Sequence, residues 1–274
     1  MNKIIAIQGA EGSNHHKVAR DFYGTSIQLK ECMSFDVLVN SLINGEADLG
    51  VMALENTIAG SIIPNYALID NNNLHIVDEE YLNIHHHLMA LKGQKIEDIK
   101  EVWSHPMALL QCKEFFKKHS HIKLVEDVDT AEVAKRIAKE NLVGIAAIAP
   151  KIAAEIFDLA IIEDEIQTIK DNSTRFVIVQ TDEPKLNEDV NKASLKFELN
   201  HKRGSLAAIL NVLSDCKMNL TKIQSLPVIE TPWKYSFFVD VTFDEYENYE
   251  KAKSVIQIMA EEFKILGTYK NGRK

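Results

Sequence analysis

The sequence predicts an α/β protein: a long region of alternating strands and helices, followed by a ferredoxin-like βαββαβ unit. Three observations carry this. Short apolar runs suited to strands alternate with amphipathic stretches through the first two-thirds of the chain. Composition then changes at Thr181-Asp182-Glu183-Pro184 through Asn191, a charged, apolar-poor, proline-containing stretch of the kind that links domains. Beyond it the order is strand, helix, strand, strand, helix, strand, the split βαβ pattern.

Taken in order, Ile4–Gln8 is a short apolar strand. The glycine-punctuated stretch Gly9-Ala10-Glu11-Gly12-Ser13-Asn14 turns out of it into a helix from about His15 to Phe22. Ser34 is placed to cap a helix over Phe35–Asn44, where Phe35, Leu38, Val39 and Leu42 recur on one face, and Gly45 marks its exit. Asp48–Leu54 is a mostly apolar strand. It ends in the polar turn Glu55-Asn56-Thr57, which leads into Gly60-Ser61-Ile62-Ile63.

Leu74–Val77 and Tyr81–Leu91 are strand-like. Glu101-Val102-Trp103 is a strand ending in Ser104-His105-Pro106, and Pro106 suits the first helical position because its missing N–H costs nothing there. Leu109, Leu110, Phe115 and Phe116 are expected on one buried helical stripe. Asp129-Thr130-Ala131-Glu132 opens a helix to about Glu140, with a capping Asp and a Glu three residues on. Val143–Ala149, Ile152–Phe157 and Phe176–Gln180 read as strand, helix and strand. Such alternation argues for parallel sheets with helices on their faces, and these sheets hold ligands beyond the carboxyl ends of strands. The turns at Asn56, Ser104 and Asn172 are candidates for those positions.

In the last unit the segments are Lys192–Leu199, Ser205–Ser214, Asn219–Leu226, Lys234–Val241, Asn248–Glu261 and Phe263–Tyr269. Tyr235, Phe237, Val239 and Val241 share one strand face.

Composition excludes several classes of function. A chain of 274 residues with 46% hydrophobic and 26% charged residues is ordinary for a soluble protein. No stretch approaches the roughly 18 apolar residues of a membrane span, and no leader is expected, since Lys3 is followed directly by the strand Ile4–Gln8. Nucleic acid is not an expected partner at a net charge of -9. Cys32, Cys112 and Cys216 are odd in number and widely spaced, which fits reduced thiols in the cytoplasm.

Four stretches could carry chemistry. Ser13-Asn14-His15 follows a glycine turn but lacks the spacing of a nucleotide loop, so a plain turn is the alternative. Leu54-Glu55-Asn56-Thr57 puts an acid, an amide and a hydroxyl after a buried strand, more than capping alone requires. His105 could act as acid or base, or simply hold a backbone group at a helix start. In Asp171-Asn172-Ser173-Thr174-Arg175-Phe176, one arginine can clamp a carboxylate while a neighbouring hydroxyl donates; a surface turn is the alternative. In a strand His85 and His87 would share a face with His86 turned away, so His85-His86-His87 offers at most two convergent ligands. No metal site is expected.

Several of these stretches jointly resemble the prephenate dehydratase family. They are Gln8-Gly9-Ala10-Glu11-Gly12-Ser13, Leu54 through Ser61, Ser104 through Cys112, Asp129-Thr130-Ala131, Ala146 through Ala149, and Asn172 through Phe176, in the family's order. The resemblance implies a catalytic region, 1–183, of two lobes related to type 2 periplasmic binding proteins. Residues 1–78 with 165–183 would form one lobe and 79–164 the other. A linker at 184–191 and a regulatory ACT domain at 192–274 would follow.

The implied reaction converts prephenate to phenylpyruvate, water and carbon dioxide without a cofactor. Arogenate dehydratase is the alternative within that chemistry, and a non-catalytic small-molecule binding protein the alternative outside it. Thr174 would donate to the departing hydroxyl, and Arg175 would stabilise the site directly or by fixing the Thr174 loop. Ser13, Asn56, Thr57, Ser104, His105, Asn172 and Phe176 would bind substrate or support its contacts, whereas Glu55 has the wrong sign to touch a dianion.

L-phenylalanine is the implied effector, held by Gly204, Ser205, Leu206, Ala207, Gln224 and Ser225. Gln224-Ser225-Leu226-Pro227 stands where the family has glutamate-serine-arginine-proline, so charge-assisted contacts of that motif are lost and a weakened affinity is expected. Pairing through an exposed sheet of the small domain is expected to give a homodimer or tetramer.

Overall fold

A computed structural model describes residues 3–184, 189–228, 231 and 234–273. Residues 185–188 of the expected linker lie outside them. The chain divides into two compact units: Met1–Ile62 with Tyr81–Phe176, and Ile63–Glu80 with Val177–Lys274.

The first sheet begins with β1 (Ile4–Gln8), α1 (Asn14–Tyr23), β2 (Gln28–Cys32), α2 (Phe35–Ile43), β3 (Leu49–Asn56) and β4 (Gly60–Ser61). β1 lies parallel to both β2 and β3. Ser13 and Ser34 cap the two helices, their hydroxyls accepting from His16 N and Val37 N. The chain continues through α3 (Ile63–Asn71) and β5 (His75–Asn83).

An inserted sheet follows: β6 (His87–Ala90), a short 3-10 turn (Ile96–Asp98), β7 (Glu101–Ser104), α4 (Pro106–Gln111), α5 (Lys113–Phe116), β8 (Lys123–Glu126), α6 (Thr130–Glu140), β9 (Ile145–Ala149), α7 (Lys151–Phe157) and β10 (Ala160–Glu163). Its strand order is β10-β6-β9-β7-β8. β11 (Ser173–Gln180) then returns to complete the first sheet, in the order β2-β1-β3-β11-β5 with β4 on β3.

The expectation of parallel sheets is corrected in part here. β7 is parallel to β8 and β9, but β6 is antiparallel to both β9 and β10. β6 and β10 are the strands by which the chain enters and leaves the inserted sheet. β10 follows β9 through α7 and runs parallel to it with β6 between them, whereas β6 arrives without a βαβ crossover, so the constraint that makes such strands parallel does not act on β6.

One helical and one strand expectation also change. The stripe Leu109, Leu110, Phe115, Phe116 is split at Cys112 into two short helices, leaving Leu110 63% exposed while Leu109 and Phe116 stay buried. The strand expected over Tyr81–Leu91 breaks at residues 84–86. Backbone groups there are taken elsewhere, Ile84 N donating to Asn172 O and His86 N to Gln167 Oε1.

In the second unit β12 (Lys192–Glu198), α8 (Ser205–Asp215), β13 (Asn219–Pro227), β14 (Tyr235–Thr242), α9 (Tyr246–Met259) and β15 (Glu262–Tyr269) follow the predicted order. The sheet runs β13-β14-β12-β15. Alternation along β12 gives it two different faces. Ala193, Leu195 and Phe197 enter the core with Ile209, Leu213, Tyr249 and Ile256 of the helices.

The opposite face carries Lys192, Ser194, Lys196 and Glu198, all buried. That face is not free for pairing, because residues 63–80 of the same unit cover it. Tyr66 meets Phe238 edge to face, Asp70 pairs with Lys196 at 2.9 Å, and a Cβ on Gly267 would fall 2.1 Å from Ile76 O.

Candidate active site

A cavity of about 300 Å³ opens within the first unit. Gln8 at the end of β1 and Asn56 at the end of β3 line it, as do the first turns of α1 (Ser13, Asn14, His15), α4 (His105, Met107, Ala108) and α6 (Asp129, Thr130). Asn172, Thr174 and Phe176 bring the amino end of β11 into the same wall. Two strands therefore run into the site and one runs out of it.

The glycine turn after β1 is a close-approach device. Asp129 caps α6 with one carboxylate oxygen, accepting from Ala131 N and Glu132 N at 2.9 Å each. Its other oxygen lies 2.6 Å from where a Cβ on Gly9 would stand, and Gly9 has φ +86. Gly12 packs on Ala153 in the same way. Burial raises the Asp129 carboxyl above its ordinary value, against the backbone amides of Glu132, Ala131 and Ala10, which lower it.

The polar groups of the wall form one ordered network. Asn56 Oδ1 accepts from Ile58 N at 3.0 Å and Ala59 N at 2.8 Å. Two backbone donors fix which end of that amide is oxygen. Its Nδ2 therefore donates, to Thr174 Oγ1 at 2.9 Å and Asn172 Oδ1 at 2.6 Å. Asn172 Nδ2 in turn donates to Gln111 Oε1 at 3.2 Å. Because Thr174 Oγ1 accepts from Asn56, its own proton is left to donate, and no described residue takes it. Gln111 has its oxygen engaged and its NH2 unspent.

Among the described residues no lysine or arginine lines the cavity. Positive potential comes from the amino ends of α1 and α6, whose first-turn N–H groups carry partial positive charge. Two neutral imidazoles add to the wall. Burial holds His15 down to about 3 and pushes His86 below its ordinary value, where the Gln111 hydrogen bond acts in the raising direction. His15 stands edge-on to Phe176 with ring centres 5.0 Å apart.

Of the residues singled out from sequence, Ser13, Asn56, His105, Asn172, Thr174 and Phe176 meet at this cavity. His105 also caps α4, its Nδ1 accepting from Met107 N at 3.2 Å. Three others are not among the lining residues. Thr57 Oγ1 accepts from Ser173 N at 2.9 Å, Ser104 is fully buried and donates to Ile148 O at 2.7 Å, and Arg175 is 2% exposed between Thr174 and Phe176 on the alternate face of β11. Glu55 does not line the cavity. Gln111, His86 and Asp129 were not picked out as site residues, although Gln111 and Asp129 sit in the resembling stretches, and His15 figured only as the end of the Ser13-Asn14-His15 turn.

The triple-histidine run is spread out. His85 lies near Glu165 at 3.3 Å, His86 reaches Gln111, and His87 meets Asp164 at 2.6 Å. Among the described residues no three potential ligands are grouped for a metal ion, and no helix is long and apolar enough to cross a membrane.

In the second unit, Gly204 takes φ +85 before α8, and Ser205 and Leu206 line a cavity of about 120 Å³ with Leu199, Asn200, Tyr235 and Phe237. Gly204 and Ala207 adjoin it in sequence. Gln224 and Ser225 lie on the edge strand β13, outside that cavity.

Comparison with known proteins identifies the family. Residues 5–184 match the family described as Prephenate dehydratase. An Arabidopsis thaliana protein named arogenate dehydratase/prephenate dehydratase 2, chloroplastic, is 35% identical over 280 residues, 97% of this chain and 72% of that one. A bifunctional chorismate mutase/prephenate dehydratase of Buchnera aphidicola is 30% identical over 98% of this chain and 72% of its own. The crystal structure of prephenate dehydratase from Arthrobacter aurescens in complex with L-Phe superposes with a TM-score of 0.84 at 22% identity, over 98% of this chain and 90% of the other, a likeness of fold. The match over most of the first 184 residues and the relatives spanning nearly the whole chain place this protein in the prephenate dehydratase family.

Proposed function

We propose that the protein converts prephenate to phenylpyruvate, water and carbon dioxide. The observation that carries this reading is the Thr174 hydroxyl, which accepts from Asn56 and keeps its proton for a ligand. In the reaction the ring carboxylate leaves as carbon dioxide and its bonding pair enters the ring. The bond to the hydroxyl breaks at the opposite carbon, and the departing oxygen takes up one proton to become water. The ring becomes aromatic, so much of the driving force is already in the substrate. Positioning and preorganised donors suffice for the rest.

Thr174 donates to the departing hydroxyl as a hydrogen-bond donor or relay. The Gln111 NH2, Asn14 and the amino ends of α1 and α6 hold the carboxylates, and Phe176 offers an apolar wall to the ring. Arg175, placed behind Thr174, supports the reading in which it fixes the strand instead of touching substrate. Thr57 and Ser104 support backbone next to the site. Purified protein should release phenylpyruvate from prephenate; comparing kcat/KM for prephenate and arogenate decides between the two dehydratases. No turnover of either substrate leaves a binding protein.

Residues 1–183 then form the catalytic region, and 192–274 act as an ACT domain that senses L-phenylalanine, with 184–191 as linker and the enzyme working in the cytoplasm. The βαββαβ order and the positive-φ Gly204 beside a small cavity support this. Ser205 lines that cavity whereas Gln224-Ser225 on the edge strand do not, which favours an effector site completed across a homodimer or tetramer. Phenylalanine should reduce activity with weakened affinity; no binding to the full-length oligomer up to several millimolar overturns that role.

A further inference from the structure

The direction of every hydrogen bond in the cavity network follows from two backbone amides, and it reaches His86. Ile58 N and Ala59 N fix Asn56, Asn56 fixes Asn172, and Asn172 Nδ2 donates to Gln111 Oε1. That oxygen also lies 2.7 Å from His86 Nε2. An oxygen cannot donate, so His86 must carry its proton on Nε2, and its Nδ1 is left as a bare lone pair. Nδ1 is indeed buried without a partner among the described residues. The residue is 6% exposed, which favours the neutral ring this arrangement needs.

The consequence falls on Gln111. Its amide could in principle point either end into the cavity, since oxygen and NH2 have nearly the same shape. With the oxygen held by two donors, only the NH2 can face a ligand. An NH2 attracts a carboxylate, whereas an amide oxygen in its place repels one. We propose that His86 is a positioning residue for carboxylate recognition: through its Nε2–H it locks Gln111 with the NH2 turned to the substrate. This rests on the dehydratase reading and adds to it a residue that acts without touching substrate.

The test is a double-mutant cycle with the full-length protein. His86→Leu removes the donor; His86→Gln keeps an N–H at a similar place; Gln111→Ala removes the group acted upon. His86→Leu should lower kcat/KM about tenfold, mostly through KM, and His86→Gln should restore it to within roughly threefold. In the Gln111→Ala background, His86→Leu should change little further. A structural role alone would give the same loss in both backgrounds, and that result overturns the proposal, as does an unchanged kcat/KM in His86→Leu. Nitrogen-15 NMR of labelled histidine gives a readout independent of turnover: in the wild type at neutral pH, Nε2 of His86 should be protonated and Nδ1 not. The opposite tautomer refutes the inference even if the enzyme is active. A wild type that leaves prephenate untouched but shows the expected tautomer refutes the functional reading instead.

Discussion

Lys192 Nζ stands 2.8 Å from both carboxylate oxygens of Glu79, and neither side chain reaches solvent. Glu79 Oε1 also accepts from Gly272 N at 3.0 Å. The pair joins β12, β5 and the tail after β15 inside the second unit. Desolvating two charges is expensive, and the arrangement is tolerable only while both are present. Lys192→Met or Glu79→Gln should each lower unfolding free energy by about 3–5 kcal/mol, whereas the combined change should recover part of the loss. Denaturant titration reads this; a loss under 1 kcal/mol for both single variants contradicts a buried pair.

Thr174→Val keeps the shape of the side chain and removes its donor. Loss of one such donor at a reacting oxygen typically costs about 10²–10³ in kcat. Thr174→Val should fall in that range with an unchanged circular dichroism spectrum, and Thr174→Ser should retain most activity. Near-normal kcat in Thr174→Val removes Thr174 from the reaction.

Gly9→Ala meets two obstacles, a φ of +86 and Asp129 Oδ2 at 2.6 Å. Gly24 has φ +79 with nothing within 4 Å, so Gly24→Ala measures the backbone cost alone. Both should lose about 1 kcal/mol from backbone strain. Gly9→Ala should lose clearly more and also raise KM, because Asp129 caps the helix whose first turn lines the cavity. Equal stability and KM in the two variants would show that the loop yields freely.

Acid should weaken the fold through the wall imidazoles. His15 is held near 3 when folded and titrates near 6.5 when unfolded. Between those values the unfolded chain binds the extra proton, so this stabilisation is present above pH 6.5 and is lost as pH falls. The slope from one such group is at most about 1.4 kcal/mol per pH unit. His86 is shifted in the same direction. Unfolding free energy measured from pH 7 to 5 should fall, and His15→Phe should flatten the slope by up to one proton. An identical slope in His15→Phe rules this account out.

Local signals were the legible ones. Ser34, Asp129 and Pro106 announce their helix starts because capping is decided within four residues, and the six segments of the small unit stand out by period alone. The edge strands β2, β8 and β10 escaped notice, being short and half exposed with little alternation. Helix α3 was missed because it has Pro64 near its start and no clear apolar stripe. Asn56 and Thr174 could be suspected from polarity after or before a strand, but their bond spans 118 positions and no periodicity reports it. His86 looked like a strand residue turned away from its neighbours. Its role depends on a break in the ladder and on a glutamine 25 residues on.

Residues 63–80 are separated in sequence from 177–274 yet fold into one unit with them, and this bears on where the protein can be cut. A fragment ending near residue 183 would keep Glu79, Asp70 and Tyr66 but lose Lys192, Lys196, Lys264 and Phe238, their partners. A fragment beginning near 192 would strand the same lysines on a bare sheet. The linker therefore marks a change of composition, not a seam along which two self-sufficient modules separate. Exchanging residues 192–274 for another domain would require transplanting the 63–80 segment with them.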